Sequence, residues 1–160
     1  MWTSHPCSLV GTAFITCPTV RGGWILTAPT IAKEWFVRAL ASRPDPAVRA
    51  EAWRAAWEDR SLSNDHLDAT IAGFRAGGRR DLVAGFDEEY FRRIRSAWAE
   101  RSIEIAQRLV VGLFPAGDTL DPVDAWLAEN EDAPAALRRL VLEQRDHLAR
   151  DLRVRASQPA

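Results

Sequence analysis

Three histidines, two cysteines and one stripe of charge on an apolar segment are the residues of this 160-residue chain whose types and spacing could do chemistry. A protein metal site needs three or four ligands that converge. His5, His66 and His147 include no pair four residues apart, so no helix presents two imidazoles on one face. Glu143 and His147 lie one turn apart, with Asp146 and Asp151 near them in sequence, and a solvated helix face accounts for this group better than a metal does. His66 sits between Asp65 and Asp68 where a helix should begin, and acids favour that end of a helix dipole. Ser61, Ser63 and Ser102 lack the glycine-flanked elbow of a serine nucleophile and read as turn or cap residues. Gly77-Gly78 before Arg79-Arg80 reads as a helix stop, and no phosphate loop surrounds it. No catalytic, cofactor or metal residue is assigned.

One group stays open. Arg101, Glu104 and Arg108 fall at i, i+3 and i+7, so an uninterrupted helix would carry them on one stripe of an otherwise apolar surface. Buried charges are normally paired, which makes a structural ion pair the first account. The second account is a cavity-facing patch that meets the carboxylate end of a peptide.

The elements that must position these residues are helical. No stretch after residue 33 alternates with a period of two. Lys33–Ala41 is apolar at Trp35, Phe36, Ala39 and Leu40, and Pro44 stops it. Asp45-Pro46 supplies a cap and a first helical residue for a helix to about Asp59, with Ala50, Trp53 and Trp57 on one face. Ser63 caps the next, with Leu62 and Leu67 as a hydrophobic staple and Leu67, Ile71 and Phe74 as its stripe. A turn over 82–86 leads to a helix capped by Asp87, with Phe91, Ile94 and Trp98 inward. Ser102 opens the most apolar helix, which its composition places centrally. Asp121-Pro122 starts a short helix with Trp126 and Leu127. Asp132 caps the last, with Leu137, Leu140, Val141, Leu148 and Leu152 inward. The pattern predicts an all-α fold of about seven antiparallel helices, stacked as an armadillo- or HEAT-like layer. The seven tryptophans fall mostly at helical spacing and read as core.

Composition bounds the function. Hydrophobic residues at 47% and charged residues at 27% suit an ordinary globular domain. A net charge of −1 argues against a nucleic-acid or anionic-membrane partner. The cations are nearly all arginine, Lys33 being the only lysine, which reads as coding composition before function. Cys7 and Cys17 make no disulfide framework, and a reduced, cytoplasmic setting is the default. No apolar run approaches a membrane span. Residues 1–32 differ from the rest: Arg21 is their only Arg or Lys, no acid occurs, and six of the eight threonines lie there. They read as a weakly ordered leader, with a short strand pair across Arg21-Gly22-Gly23 as the alternative and no good match to a signal peptide. The domain then spans 33–156, and 157–160 is a tail.

Two blocks identify a family. Arg101-Ser102-Ile103-Glu104-Ile105-Ala106-Gln107-Arg108 with Gly112-Leu113-Phe114-Pro115 is one. Asp124-Ala125-Trp126-Leu127, Asn130-Glu131-Asp132-Ala133-Pro134 and Leu137 to Asp146 make the other. Together they resemble the extreme C-terminus of the bacterial aminopeptidase N family, zinc exopeptidases with a helical C-terminal domain like that of the endoplasmic-reticulum aminopeptidases. The likeness covers roughly residues 36–155, and its middle, Glu51-Ala52-Trp53 and Leu62-Ser63 through Ile71-Ala72-Gly73-Phe74, agrees more loosely. It implies a truncated or partial gene product, without catalysis of its own. In such enzymes a His-Glu-x-x-His helix and a later glutamate hold zinc, and a Gly-x-Met-Glu-Asn segment grips the substrate amino terminus. Neither motif exists here, since the only methionine is Met1 and no two histidines are suitably spaced. Zinc belongs to the parent family and not to this chain. The implied role is to shape the chamber that admits peptides, with Arg101, Glu104 and Arg108 as candidate lining. The implied partner is the parent's catalytic domain or a peptide. The alternative is a stand-alone helical-repeat module that binds a peptide or protein.

Overall fold

The computed structural model describes residues 30–158, with side chains from residue 33. His5, both cysteines, the expected strand pair and nearly all of the leader lie outside the described residues, as do 159–160 of the tail. Among the described residues there are seven helices of at least nine residues: α1 (Thr30–Ala41), α2 (Pro46–Glu58), α3 (Asn64–Phe74), α5 (Asp87–Glu100), α6 (Ile103–Gly112), α7 (Asp121–Glu129) and α8 (Ala135–Ser157). A single turn, α4 (Arg80–Val83), fills the connection between α3 and α5. No strand occurs among them.

Local rules place most of the boundaries. The Asp45 carboxylate accepts from the Ala47 amide at 2.8 Å with Pro46 at the first helical position. Ser63 accepts from the His66 amide, and Ser102 from the Ile105 amide. Gly77 and Gly78 take φ of +80° and +60°, the left-handed conformation that closes a helix. Two expected caps are used differently. Asp87 is the first helical residue of α5, and its carboxylate accepts from both terminal nitrogens, Nη1 and Nη2, of the Arg80 guanidinium. Asp132 accepts from Arg95 at 2.9 and 2.6 Å, and Pro134 stands at the start of α8 without a side-chain cap. In both, a charged fork from another segment offers the carboxylate more than a lone amide does.

The helices form two rows. In the first, α1 packs on α3, α3 on α6 and α6 on α8. In the second, α2 meets α5 through Trp57 against Tyr90 and a Trp53 Nε1 donation to Glu89 at 3.1 Å, and α5 packs on α7. Short connections make α2–α3, α5–α6 and α7–α8 neighbours across the rows. This is the stacked, armadillo- or HEAT-like layer that the pattern predicts. Glycines set two of the crossings. A Cβ on Gly73 would lie 2.5 Å from the Ala41 Cβ, and one on Gly112 would lie 2.8 Å from Ile71 Cγ2, so the helices touch closely there.

The core lies between the rows: Trp53, Trp57, Leu67, Phe74, Tyr90, Ile94, Leu109, Val110, Leu137 and Val141 are buried. The inward face of α5 is Tyr90, Ile94 and Ala97, with Phe91 and Trp98 only half-buried at its edges. α6 is less enclosed than its composition suggests. Ala106, Leu109 and Val110 are buried, while Ile103, Glu104, Gln107 and Val111 form an exposed edge. The expected inward face of α1 also differs: Trp35, Phe36 and Leu40 are 63%, 61% and 46% exposed. Among its described side chains, α1 buries Ala41 against α3 and turns Trp35, Phe36 and Leu40 outward.

Candidate functional site

The arginines show how the array holds itself together. Arg49, near the start of α2, is 1% exposed and has no carboxylate partner among the described residues. Its Nη1 donates to the Gly73 carbonyl and to that of Phe74 at 2.6 Å. Its Nη2 donates to Ser42 O at 2.9 Å and Ala76 O at 3.0 Å. These carbonyls belong to the ends of α1 and α3, where helices leave acceptors unsatisfied and the dipole favours a cation. Burial first, and Arg79 second, push the Arg49 pKa down. Three further arginines do the same at other ends. Arg75 donates to Gly112 O at the end of α6, Arg138 to Leu127 O and Asn130 O at the end of α7, and Arg101 to Trp57 O and Asp59 O at the end of α2.

This dissolves the expected charge stripe. Ser102 caps α6, so Arg101 lies before the helix in extended backbone (φ −104°, ψ 162°). Burial, then Arg60, push its pKa down. Arg108 reaches back to Asp68 on α3 at 3.1 Å. Glu104 is exposed, and neither arginine pairs with it. The sequence brings the three close along the chain; the fold sends each to a different neighbour.

A concavity lies elsewhere among the described residues. A cleft of about 510 Å³ opens between the α3–α5 connection, the segment after α6 and the last turns of α8. None of Arg101, Glu104 or Arg108 lines it. Trp53, Phe74, Phe86 and Phe114 make an aromatic floor, with centroid separations of 5.0 Å for Trp53–Phe86 and 5.5 Å for Phe74–Phe86. The rim is charged but largely self-paired. Arg80 holds Asp87, Arg79 holds Asp81, which lies just beyond the rim, and Arg155 holds Asp118 at 3.0 Å. The hydrogen bonds to their carboxylates raise the pKa of Arg79 and Arg80, and the Arg79 bond lowers that of Asp81. Arg75 and Asp151 are the exceptions: Arg75 is exposed, faces the cleft and meets only a backbone carbonyl among the described residues, and the exposed Asp151 carboxylate on the opposite rim pairs with no cation among them. The cleft can therefore seat an apolar group and offer one guanidinium to an attached carboxylate. The helix stop Gly77-Gly78-Arg79-Arg80 borders this place, but no sequence pattern points to a cleft here, since its aromatic floor comes from four separate segments.

No set of three His, Cys, Asp or Glu side chains gathers to hold a metal among the described residues. Glu143 accepts from Arg139 at 2.9 Å, and His147 is exposed on α8. Ser61 donates to Asp59 at 2.6 Å. Tyr90, fully buried, donates to Val110 O at 2.6 Å, and burial raises its pKa beyond the ordinary range of a phenol. No helix among the described residues is long and apolar enough to cross a membrane.

Comparison with known proteins falls on the same helices. The family model described as the ERAP1-like C-terminal domain matches residues 26–150. Aminopeptidase N of Streptomyces lividans is 47% identical over 126 residues, which cover 76% of this chain and 15% of that protein. The chain thus spans a small part of the length of the relative it matches.

Proposed function

The chain belongs to the ERAP1-like C-terminal domain family, as the C-terminal helical domain of an aminopeptidase N-like enzyme, and from that premise we propose that it shapes a chamber which admits peptides and does no chemistry itself. The observation that carries this reading is the 47% identity to an aminopeptidase N over helices that contain no set of metal ligands. The family resemblance implies zinc for a whole enzyme; among the described residues of this chain no set of His, Cys, Asp or Glu gathers that would hold it, and no step is routed through it. The partner is the catalytic part of such an enzyme, and the substrate class is peptides.

Two surfaces offer themselves as chamber wall. The α6 edge with Glu104 and Arg108, flanked by Arg101, is one. The cleft beside Arg75 gives a peptide more purchase, because it is concave, aromatic-floored and has a guanidinium without a carboxylate partner. Purified chain with leucyl or alanyl chromogenic amides and excess zinc should show only the background rate. A hydrophobic peptide with a free carboxylate should bind it, and Arg75→Ala should weaken that peptide about tenfold while sparing the C-terminal amide. If Arg101→Ala or Arg108→Ala gives that selectivity instead, the α6 edge is the wall. Chelator-sensitive turnover by homogeneous protein would sink the reading altogether.

A further inference from the structure

Most of the charge around the aromatic-floored cleft cancels within its own rim. Arg80 with Asp87, Arg79 with Asp81 and Arg155 with Asp118 are neutral pairs. One charge of each sign is left over. Arg75 follows Phe74 at the end of α3, and its guanidinium meets only the Gly112 carbonyl, at 3.1 Å, among the described residues. Asp151 stands on the opposite wall, in the last turns of α8, and its carboxylate meets no cation among them. The two do not pair with each other. Val154, one turn from Asp151, lines the same wall and is 56% exposed. A simple anion in this cleft would face Asp151, and a simple cation would face Arg75. A wholly apolar molecule would cover both charges and leave them unpaired, which is costly. A molecule with an apolar body, a carboxylate and an amine satisfies the floor and both walls at once. The volume of about 510 Å³ suits a short peptide end rather than a folded partner.

We propose that the cleft is a zwitterion site: it takes the apolar carboxyl end of a short peptide, with the carboxylate on Arg75, the side chains on the aromatic floor and a cationic amine on Asp151. The inference rests on the proposed function and adds to it a polarity and a second charge requirement. Guanidinium–carboxylate and ammonium–carboxylate contacts are charge-assisted, so each end of the ligand contributes affinity and orientation. A peptide whose amine is blocked keeps one contact only, and it covers the Asp151 carboxylate without replacing the water it removes. The amine has two chemical sources. One is the free amino terminus of a dipeptide or tripeptide, and the other is the side chain of a lysine upstream of the carboxyl end. They differ in pKa, about 7.7–8.0 for an α-amine and about 10.4 for lysine.

The test titrates leucylphenylalanine into the full 160-residue chain by calorimetry at about pH 7. Binding should saturate at one molecule per chain. Acetylating the amine, or amidating the carboxyl group, should each weaken it at least about tenfold, the effect of one charge-assisted contact. The variants assign the two ends. Asp151→Asn should abolish the difference between the free and the acetylated dipeptide and keep the difference between acid and amide. Arg75→Ala should do the reverse. A merely structural role for either residue would shift all of these ligands alike. The source of the amine is read from pH and from Nα-acetyl-lysyl-leucyl-phenylalanine. Affinity for leucylphenylalanine that falls between about pH 7 and pH 9 assigns the site to free amino termini. An acetylated lysyl peptide that binds as well, and holds its affinity to about pH 9, assigns it to lysine side chains too. Either result supports the site. No saturation by any of these peptides up to about 10 mM overturns the proposal. So does an acetylation penalty that survives Asp151→Asn, or tighter binding of both dipeptides on Asp151→Asn, because Asp151 then only repels the carboxylate. Failure of the functional reading is distinguishable: it is seen as chelator-sensitive turnover by the chain, whether or not the dipeptide binds.

Discussion

α1 and α8 stand at opposite ends of one row and are held there by different means. α1 touches the array through small groups and backbone. Ala41 sits against Gly73, and Arg49 ties the carbonyl of Ser42 to those of Gly73, Phe74 and Ala76. α8 is held by many side chains. Leu137, Val141 and Leu148 are buried, Arg138 caps α7, and Arg145 and Arg155 reach Asp124 and Asp118. Close backbone approach to α3 and one buried guanidinium hold the first, while side chains spread along a helix of 23 residues hold the second. A concentrated joint can be broken by one substitution. A distributed one should yield gradually.

Arg49→Met is the sharpest way to break the α1 end. It leaves four carbonyls without their donor, two of them fully buried, and each unsatisfied group costs about 1 kcal/mol or more. The expected loss is about 3–5 kcal/mol in a denaturant melt. Arg138→Met, which leaves two half-buried carbonyls at the α8 end, should cost less than half of that. Equal losses at the two sites would mean that the ends are held alike, and the contrast would fail.

Arg49 also marks where sequence reasoning stops. Asp45, Ser63, Ser102 and the Gly77-Gly78 pair were legible because a cap acts on amides or carbonyls within a few residues of itself. The acceptors of Arg49 lie 7 to 27 residues away, and no local pattern announces a cation that serves carbonyls. Asp87 and Asp132 were misread as caps for the same reason, since Arg80 and Arg95 claim them from other segments. The apolar stripe of α1 reads as an inward face, and the structure turns it outward, because the close contact of Ala41 with Gly73 decides which side of α1 meets α3. Periodicity finds an apolar stripe but not the neighbour that would cover it. The cleft was invisible because its aromatic floor is assembled from Trp53, Phe74, Phe86 and Phe114, each of which reads as ordinary core.

Gly73→Ala comes next. The added Cβ would lie 2.5 Å from the Ala41 Cβ and 2.7 Å from the Arg38 carbonyl oxygen, and backbone cannot swing aside as a long side chain can. α1 must shift off α3, at about 1–3 kcal/mol by analogy with overpacked cores. A Gly73→Ala protein that melts like the wild type would show that α1 sits loosely, and the concentrated joint would reduce to Arg49 alone.

The smallest effect is expected at the α8 end, in the pair of Arg145 with Asp124, whose second contact is Nη2 to Oδ2 at 3.1 Å. The side chains are 31% and 46% exposed, so solvent screens the pair strongly. The Arg145 hydrogen bond is the main cause that lowers the Asp124 pKa, with burial opposing it. A carboxylate whose folded pKa lies below its unfolded value stabilises the fold above the unfolded value, near 3.9 for aspartate. That contribution is lost as pH falls through the folded pKa. The difference in stability between wild type and Asp124→Asn should therefore be small and flat above about pH 5 and should shrink towards zero below about pH 4. Asp59, Asp81 and Asp132 have lowered pKa values as well and titrate in the same window, so acid weakens both proteins, and only their difference isolates Asp124. Added salt at neutral pH should shrink the same difference. A difference that instead grows on acidification would mean that protonated Asp124 is the stabilising form. The α8 end would then depend on something other than its distributed ionic contacts.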